Sequence, residues 1–345
     1  MARIPRRHPP GHAMQAVGAF VKPRILLVGK TRSLVQWLED ARDGFEDAGT
    51  VSRLFALNGN TPVAAMRARI AKLRGQSALT AYLARQLDAA LGTFPPQLVL
   101  FMSAYWAQPA LADVVRMHGI PLAGWVGDRF DASAGIMASR LDRVYYTDSG
   151  FLAEARQFGF PDNGCYLPHA ANARLFRPGN AERTNRIVFV AVPTQHRLEL
   201  LRQVETPIAV YGRRWGALGP SHHEIHDGWL ARKRLPRLYQ GSLAVLNMCN
   251  ELNVFEGLNQ RSFEPAACGT PVLHDALADL DRCFEPGKEV LVFHNSEELQ
   301  DLCMRVRRDP ALAQRIGAAA LSRVQSQHTC AHRARTILRD FGLTS

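Results

Sequence analysis

Short apolar runs separated by amphipathic stretches recur in two blocks along this chain, and that grammar leaves few folds open besides packed α/β layers. The first block holds Ile25 to Val28, Val51 to Leu57, Leu98 to Met102, Leu122 to Val126, Val144 to Tyr146 and Cys165 to Leu167, the expected strands of one sheet. The pattern then breaks from Pro168 through Asn172 to Phe176–Asn180, with a polar stretch to Arg186, which reads as an interdomain connection. It restarts with Ile187 to Val192, Ile208 to Tyr211, Leu243 to Leu246, Val272 to Leu273 and Val290 to Phe293. Glu297 to Arg308, Pro310 to Val324 and His328 to Leu338 read as closing helices. The expected organisation is a disordered basic tail over 1–20, α/β domains over 21–178 and 179–327, and a closing helix over 328–345. A chain of 345 residues can bury two such cores. Two sheets facing each other bring both carboxyl edges to one cleft, which suits a two-substrate enzyme.

Composition removes several classes of function. No run approaches the roughly 20 apolar residues that span a bilayer, and Met14 to Val21 is too short and mixed for a secretory segment, so a cytoplasmic location is expected. The cysteines Cys165, Cys249, Cys268, Cys283, Cys303 and Cys330 stand singly, without metal-site spacing or disulfide density, and read as reduced core residues with no metal. A net charge of +11 suits phosphate-bearing ligands, an anionic membrane surface or nucleic acid, and its sign alone does not choose. The clusters Arg3 to Arg7, Arg213–Arg214 and Arg232 to Arg237 read as solvated faces, and no aromatic-interleaved basic motif marks a nucleic-acid module. Val28-Gly29-Lys30-Thr31 ends like a phosphate-binding loop, but Arg24 stands where that loop requires its first glycine. No Gly-x-Gly-x-x-Gly follows any strand, which argues against a dinucleotide oxidoreductase.

The segment from Phe255 to His274 carries the chemistry. Gly269 suits the left-handed position after a helix and Pro271 cannot continue one, so a short helix over Asn259 to Cys268 ends there. Its start, at a strand's carboxyl end, offers unpaired amides and a positive dipole to phosphates. Glu256 stands in the preceding loop and Glu264 on the helix, where carboxylates could accept hydrogen bonds from sugar hydroxyls. The alternative is that Glu256 caps the helix from outside and Glu264 is a solvated surface residue. Against that, Glu264 lies within Phe263-Glu264-Pro265-Ala266-Ala267-Cys268, and an acid among apolar neighbours needs a partner.

These residues and several others carry a family resemblance. Leu246-Asn247, Arg261 to Thr270, Glu285 to Glu289 and His328-Thr329 with Arg333 resemble glycosyltransferases of the spore-maturation-protein (CgeB-like) type. Pro96 to Leu100, Gly119-Ile120-Pro121, Trp125 with Asp128, Tyr146-Thr147-Asp148, Leu167 to Ala170 and Phe176-Arg177-Pro178 agree, so the similarity runs in order over roughly residues 95 to 340. The resemblance implies a GT-B fold, two Rossmann-like domains with the acceptor on the first and a nucleotide-diphosphate sugar on the second. The glutamate pair matches the E-x7-E pattern of retaining GT-B transferases, which implies that Glu264 holds the ribose and Glu256 faces the donor sugar or its phosphates. By the same resemblance Gly257, Leu258 and Asn259 offer amides to the diphosphate, and no metal or other cofactor is required.

A cation is needed where charge develops on the leaving diphosphate, for which Arg197 and Arg261 are the candidates, with Arg213 and Arg214 after Gly212 as weaker ones. Asp128, at a strand end, and His169, at the domain junction, are the nearest candidates for a base; helix capping and hinge packing are their plain alternatives. Ala191 stands where the family pattern has a glycine, which weakens the assignment of Arg197 and leaves room for a non-catalytic member. The acceptor class, whether glycan, protein or small molecule, is left open. Nucleic acid as an acceptor and peripheral contact with a membrane are compatible with the charge. A nucleotide-sugar isomerase or hydrolase on the same fold, or a binding protein, is the alternative reading.

Overall fold

The computed structural model describes residues 22–31, 36–59 and 61–344. The expected basic tail, 1–20, lies outside the described residues. The first domain runs β1 (Arg24–Gly29), α1 (Trp37–Asp47), β2 (Val51–Ala56), α2 (Pro62–Leu73), α3 (Gln76–Thr93), β3 (Leu98–Met102), α4 (Pro109–Met117), β4 (Leu122–Val126), α5 (Gly135–Ala138), β5 (Arg143–Tyr146), α6 (Ser149–Gln157) and β6 (Gly164–Tyr166). The second runs β7 (Ile187–Val190), α7 (Gln195–Gln203), β8 (Ala209–Gly212), β9 (Glu224–Asp227), α8 (Leu235–Gln240), β10 (Ala244–Asn247), α9 (Gln260–Ala267), β11 (Val272–Asp275), α10 (Leu280–Cys283), β12 (Leu291–Phe293), α11 (Ser296–Arg308) and α12 (Pro310–Gln327), and α13 (Cys330–Asp340) follows it.

Both sheets are parallel throughout, in the orders β2-β1-β3-β4-β5-β6 and β12-β11-β10-β7-β8-β9. Parallel strands covered on both faces must be apolar on both, and β3 and β4 are buried at every position. Each sheet accordingly has two cores, one on each face. The second sheet has the order of a doubly wound nucleotide-binding fold, whose switch point lies between β7 and β10.

The strand β9, Glu-Ile-His-Asp, is not among the apolar runs of the sequence. It is an edge strand paired only with β8, so nothing forces apolar alternation on it, and its charged residues point to solvent.

The chain crosses between the domains twice. After β6 it passes over to the second sheet, where Phe176 joins the core under Tyr239. After α12 it returns, and α13 places Ala334, Ile337 and Leu338 in the first domain's core beside Trp37 and Phe45. The two crossings touch: Ala171 N–H donates to the carbonyl of His328 (3.0 Å) and its own carbonyl accepts from Cys330 N–H (2.9 Å). Gly44 makes this docking fit, because a Cβ there would come within 2.6 Å of Cys330. No helix among the described residues is long and apolar enough to cross a membrane.

Candidate functional site

The carboxyl ends of β1, β3, β4 and β5 face the start of α9 across a cavity of about 510 Å³. Lys30, Ser103, Asp128, Asp148 and His169 line one wall, and Asn250, Asn253 and Gly257 to Arg261 the other. Ser103 holds a left-handed backbone (φ 49°) directly after β3, a costly conformation for a residue with a Cβ, and from it donates its hydroxyl to Asp128 Oδ2 (3.1 Å).

The loop between β10 and α9 bridges the cleft. Asn253 Nδ2 donates to Asp128 Oδ1 (2.9 Å), and Asn253 Oδ1 accepts from the amide of Arg129 (3.2 Å). The Arg129 guanidinium lies 3.9 Å from the centroid of the Phe255 ring, which packs edge-on against Phe151. Asp148 is the main latch. It caps α6 by accepting from Gly150 N–H (2.7 Å), and it also accepts from the amides of Phe255 (2.8 Å) and Glu256 (3.2 Å). Sequence reasoning gave Asp148 no site role, although Thr147-Asp148-Ser149-Gly150 after a strand is a capping signal at the right sheet edge.

Helix α9 begins at Asn259, whose side chain accepts from Arg261 N–H (2.8 Å), as expected of an N-cap. It ends before Gly269 in the left-handed region (φ 76°), as the sequence predicts. Arg261 lines the cavity one residue into this helix, and among the described residues its guanidinium has no hydrogen-bond or ion-pair partner. An unpaired cation and a helix N-terminus thus face the same space, a combination suited to a diphosphate.

The other nominated residues sit differently. Glu264 is buried, as its neighbours predict, but its partner is Arg232 (Nη2 to Oε1, 3.1 Å) and it does not line the cavity. Arg232 also reaches Asp40 of α1 at 2.8 Å and 2.5 Å, so two carboxylates share one guanidinium across the domain boundary. Burial raises the pKa of both Asp40 and Glu264 despite the opposing charge of Arg232. Burial acts against the charge of Arg232 as well, but its bonds to Asp40 and its contact with Glu264 outweigh that and hold it above the usual range. Reading Arg232 as a solvated residue is therefore corrected: its cluster is basic along the chain, but its own partners come from α1 and α9.

Arg197 is fully buried and donates to the carbonyls of Val192 (2.8 Å) and Met248 (2.5 Å), stitching the ends of β7 and β10 at the switch point. Burial, then the charge of Arg261, lowers its pKa to about 10. Gly212 packs against the carbonyl of Ala191, and neither it nor exposed Arg213 lines the cavity. Glu256 is half-buried outside the lining, with its carbonyl accepting from Asp279 N–H (3.0 Å). Gly257 lines the cavity because only a glycine tolerates the approach of Asp148, whose Cα would lie 2.7 Å from a Cβ there. Leu258 is buried and Asn259 binds Asn247, both at the cavity wall.

His169 lines the cavity beside Trp37, with ring centroids 4.7 Å apart, and its Nδ1 has no hydrogen-bond partner among the described residues. Burial, then the charges of Arg333 and Arg261, pulls its pKa down to about 3, so the imidazole is neutral at ordinary pH. One group with metal-ligand chemistry occurs among the described residues, Cys249, His274 and Asp275. The His274 ring nitrogens already meet Ser262 Oγ (2.8 Å) and Asp275 (2.7 Å to its carbonyl), which makes it a hydrogen-bonded core cluster. All six cysteines are free.

Residues 194–339 match a family model described as glycosyl transferase-like. Among solved structures, a glycosyltransferase from Rickettsia africae is similar at 12% identity with a TM-score of 0.68, over 93% of this chain and 98% of that one. Anabaena HepE in complex with UDP-glucose is similar at 14% identity with a TM-score of 0.66, over 92% and 99%. A UDP-N-acetylglucosamine 2-epimerase shares the fold at 12% identity with a TM-score of 0.53, over 93% and 97%. Comparison with curated protein sequences returns no significant match. The second domain therefore carries a glycosyl transferase-like region, and the whole chain has the two-domain GT-B fold of the glycosyltransferases it resembles.

Proposed function

We propose that this protein transfers a sugar from a nucleoside-diphosphate donor to an acceptor hydroxyl, with retention at the anomeric carbon and without a metal. The observation that carries the reading is Arg261, whose guanidinium has no partner among the described residues and which lines the interdomain cavity at the N-terminus of α9, within the glycosyl transferase-like region. There it would neutralise the charge that builds on the departing diphosphate, with the amides at the start of α9 beside it. Lys30, on the opposite wall, adds a second positive group. Neutral His169 offers Nδ1, which has no partner among the described residues, to a sugar or acceptor hydroxyl, and Asp128, already held by Ser103 and Asn253, offers a fixed carboxylate. The acceptor proton would pass to the leaving phosphate. In this reading Glu264 acts through Arg232, fixing the seat of α9 against α1, and the sugar is selected by the cavity wall.

The test is a thermal-shift panel of nucleotide sugars, since a ligand that binds the folded state raises the melting temperature by mass action. Product analysis with and without added acceptors completes it. A donor that stabilises wild type and is turned over only with an acceptor supports transfer. Turnover of the donor alone would favour the isomerase or hydrolase reading, to which the epimerase fold also points. No stabilisation by any nucleoside diphosphate would sink the proposal.

A further inference from the structure

Helix α2 is turned the wrong way for a protein surface in water. Its large apolar side chains face out: Val63 is 61% exposed, Met66 58%, Ile70 43% and Leu73 81%, at spacings of three and four that put them on one stripe. Its inward face, packed toward α3, is made of small residues, with Ala68 and Ala71 buried. A helix packing only for its own core would present the larger hydrophobes inward. Arg67 and Arg69 flank the outer stripe and Arg74 follows its end, while Lys72 stands on the opposite face, all exposed.

The charge around the stripe has one sign. From residue 48 to residue 87 the chain has six basic residues and no acidic one. A second cavity, of about 430 Å³, lies beneath α2 with Arg69 and Lys72 in its wall, and it shares Lys30, Leu57 and Trp106 with the interdomain cleft. Trp106 is 67% exposed at that junction, and an indole with one wet and one apolar side suits a water–lipid boundary.

We infer that α2 is a docking face for an anionic lipid bilayer, its Val63–Leu73 stripe entering the head-group layer while the flanking Arg67 and Arg69 meet lipid phosphates. An exposed apolar stripe edged by basic side chains matches that surface in both hydrophobicity and charge. A second copy of this basic face would repel the first, and duplex nucleic acid offers nothing for four large apolar side chains to enter. The inference goes beyond sugar transfer and does not depend on it.

The test is co-sedimentation of the full-length protein with phosphatidylcholine vesicles, with and without about a quarter of phosphatidylglycerol, at two salt concentrations. Binding is expected only to the anionic vesicles and to weaken with salt. The variant Met66→Ser/Ile70→Ser/Leu73→Ser should lose about tenfold or more in vesicle affinity with an unchanged melting temperature, because these side chains leave no core. Arg67→Gln/Arg69→Gln should lose about fivefold per charge while keeping the stripe. Equal binding to neutral vesicles, or equal binding by the serine variant, overturns the inference. So does a lipid-free dimer that the serine variant dissolves, which would assign the face to a second copy, or tighter retention on duplex DNA than on vesicles. The readout is independent of turnover, so vesicle binding and sugar transfer can fail separately.

Discussion

Arg261 and Arg197 share a residue type, a domain and a place near a strand's carboxyl end, yet the fold uses them in opposite ways. Arg261 lines the cavity without a partner among the described residues, while Arg197 is enclosed and bound to the carbonyls of Val192 and Met248. The connection out of each strand sets the difference. After β7 the chain turns directly into α7, folding Arg197 back over the switch point; after β10 a long loop crosses to the first domain before α9 begins, leaving the tip of α9 at the cleft. A cation over a closed crevice holds strands together, whereas one at an open helix start is available to a ligand.

The sharpest way to break this comparison is to remove structural cations and look for effects on stability alone. Arg232→Ala should cost the most, about 3–5 kcal/mol, because it leaves Asp40 and Glu264 buried without their shared partner. Chemical denaturation of the variant reads this, and a loss under about 1 kcal/mol would mean that the triad is solvated in solution. Arg197→Ala should cost about 3 kcal/mol through two charge-assisted bonds to carbonyls left unmade. If it instead folded normally and lost donor binding, the assignments of the two arginines would be reversed.

Arg261→Ala should leave the melting temperature unchanged and weaken nucleoside-diphosphate binding by about ten- to a hundredfold, roughly 1.5–3 kcal/mol, measured by calorimetry. The last effect, expected from His169, is a change of slope with pH and not a fixed offset. Its folded pKa, about 3, lies below the ordinary 6.5, so the unfolded state binds more protons between those values. Its contribution is full above pH 6.5 and is lost as pH falls toward 3. His169→Gln should flatten the acid-side stability slope by at most about 1.4 kcal/mol per pH unit, read as the difference between wild-type and variant pH profiles.

The sheets were legible because strands buried on both faces cannot disguise their apolar runs, and β9 escaped because an edge strand has no such obligation. The helix of Gln260–Ala267 was legible from its glycine and proline punctuation. The site was legible only where a signal is local. Asn259 and Arg261 are readable from the start of one helix, but the role of Arg232 depends on Asp40, 192 positions away, and no spacing rule reaches that far. The burial of Glu264 could be read from its neighbours, while the identity of its partner could not. Asp148 shows the reverse failure: its capping pattern was visible, but the amides of Phe255 and Glu256 arrive from the other domain.

The paired crossings of the chain set how the cleft can move. Because Ala171 and Cys330 are hydrogen-bonded side by side, the domains are joined by a double hinge at one edge, with α13 anchored on the far side. Such a joint permits swinging like a door and resists sliding, so opening the cleft would part Asn253 from Asp128 and the loop amides from Asp148 while the hinge edge stays shut. The C-terminal helix then serves as the hinge pin, and its loss would free the domains far more than a break in the loop that bridges the cleft.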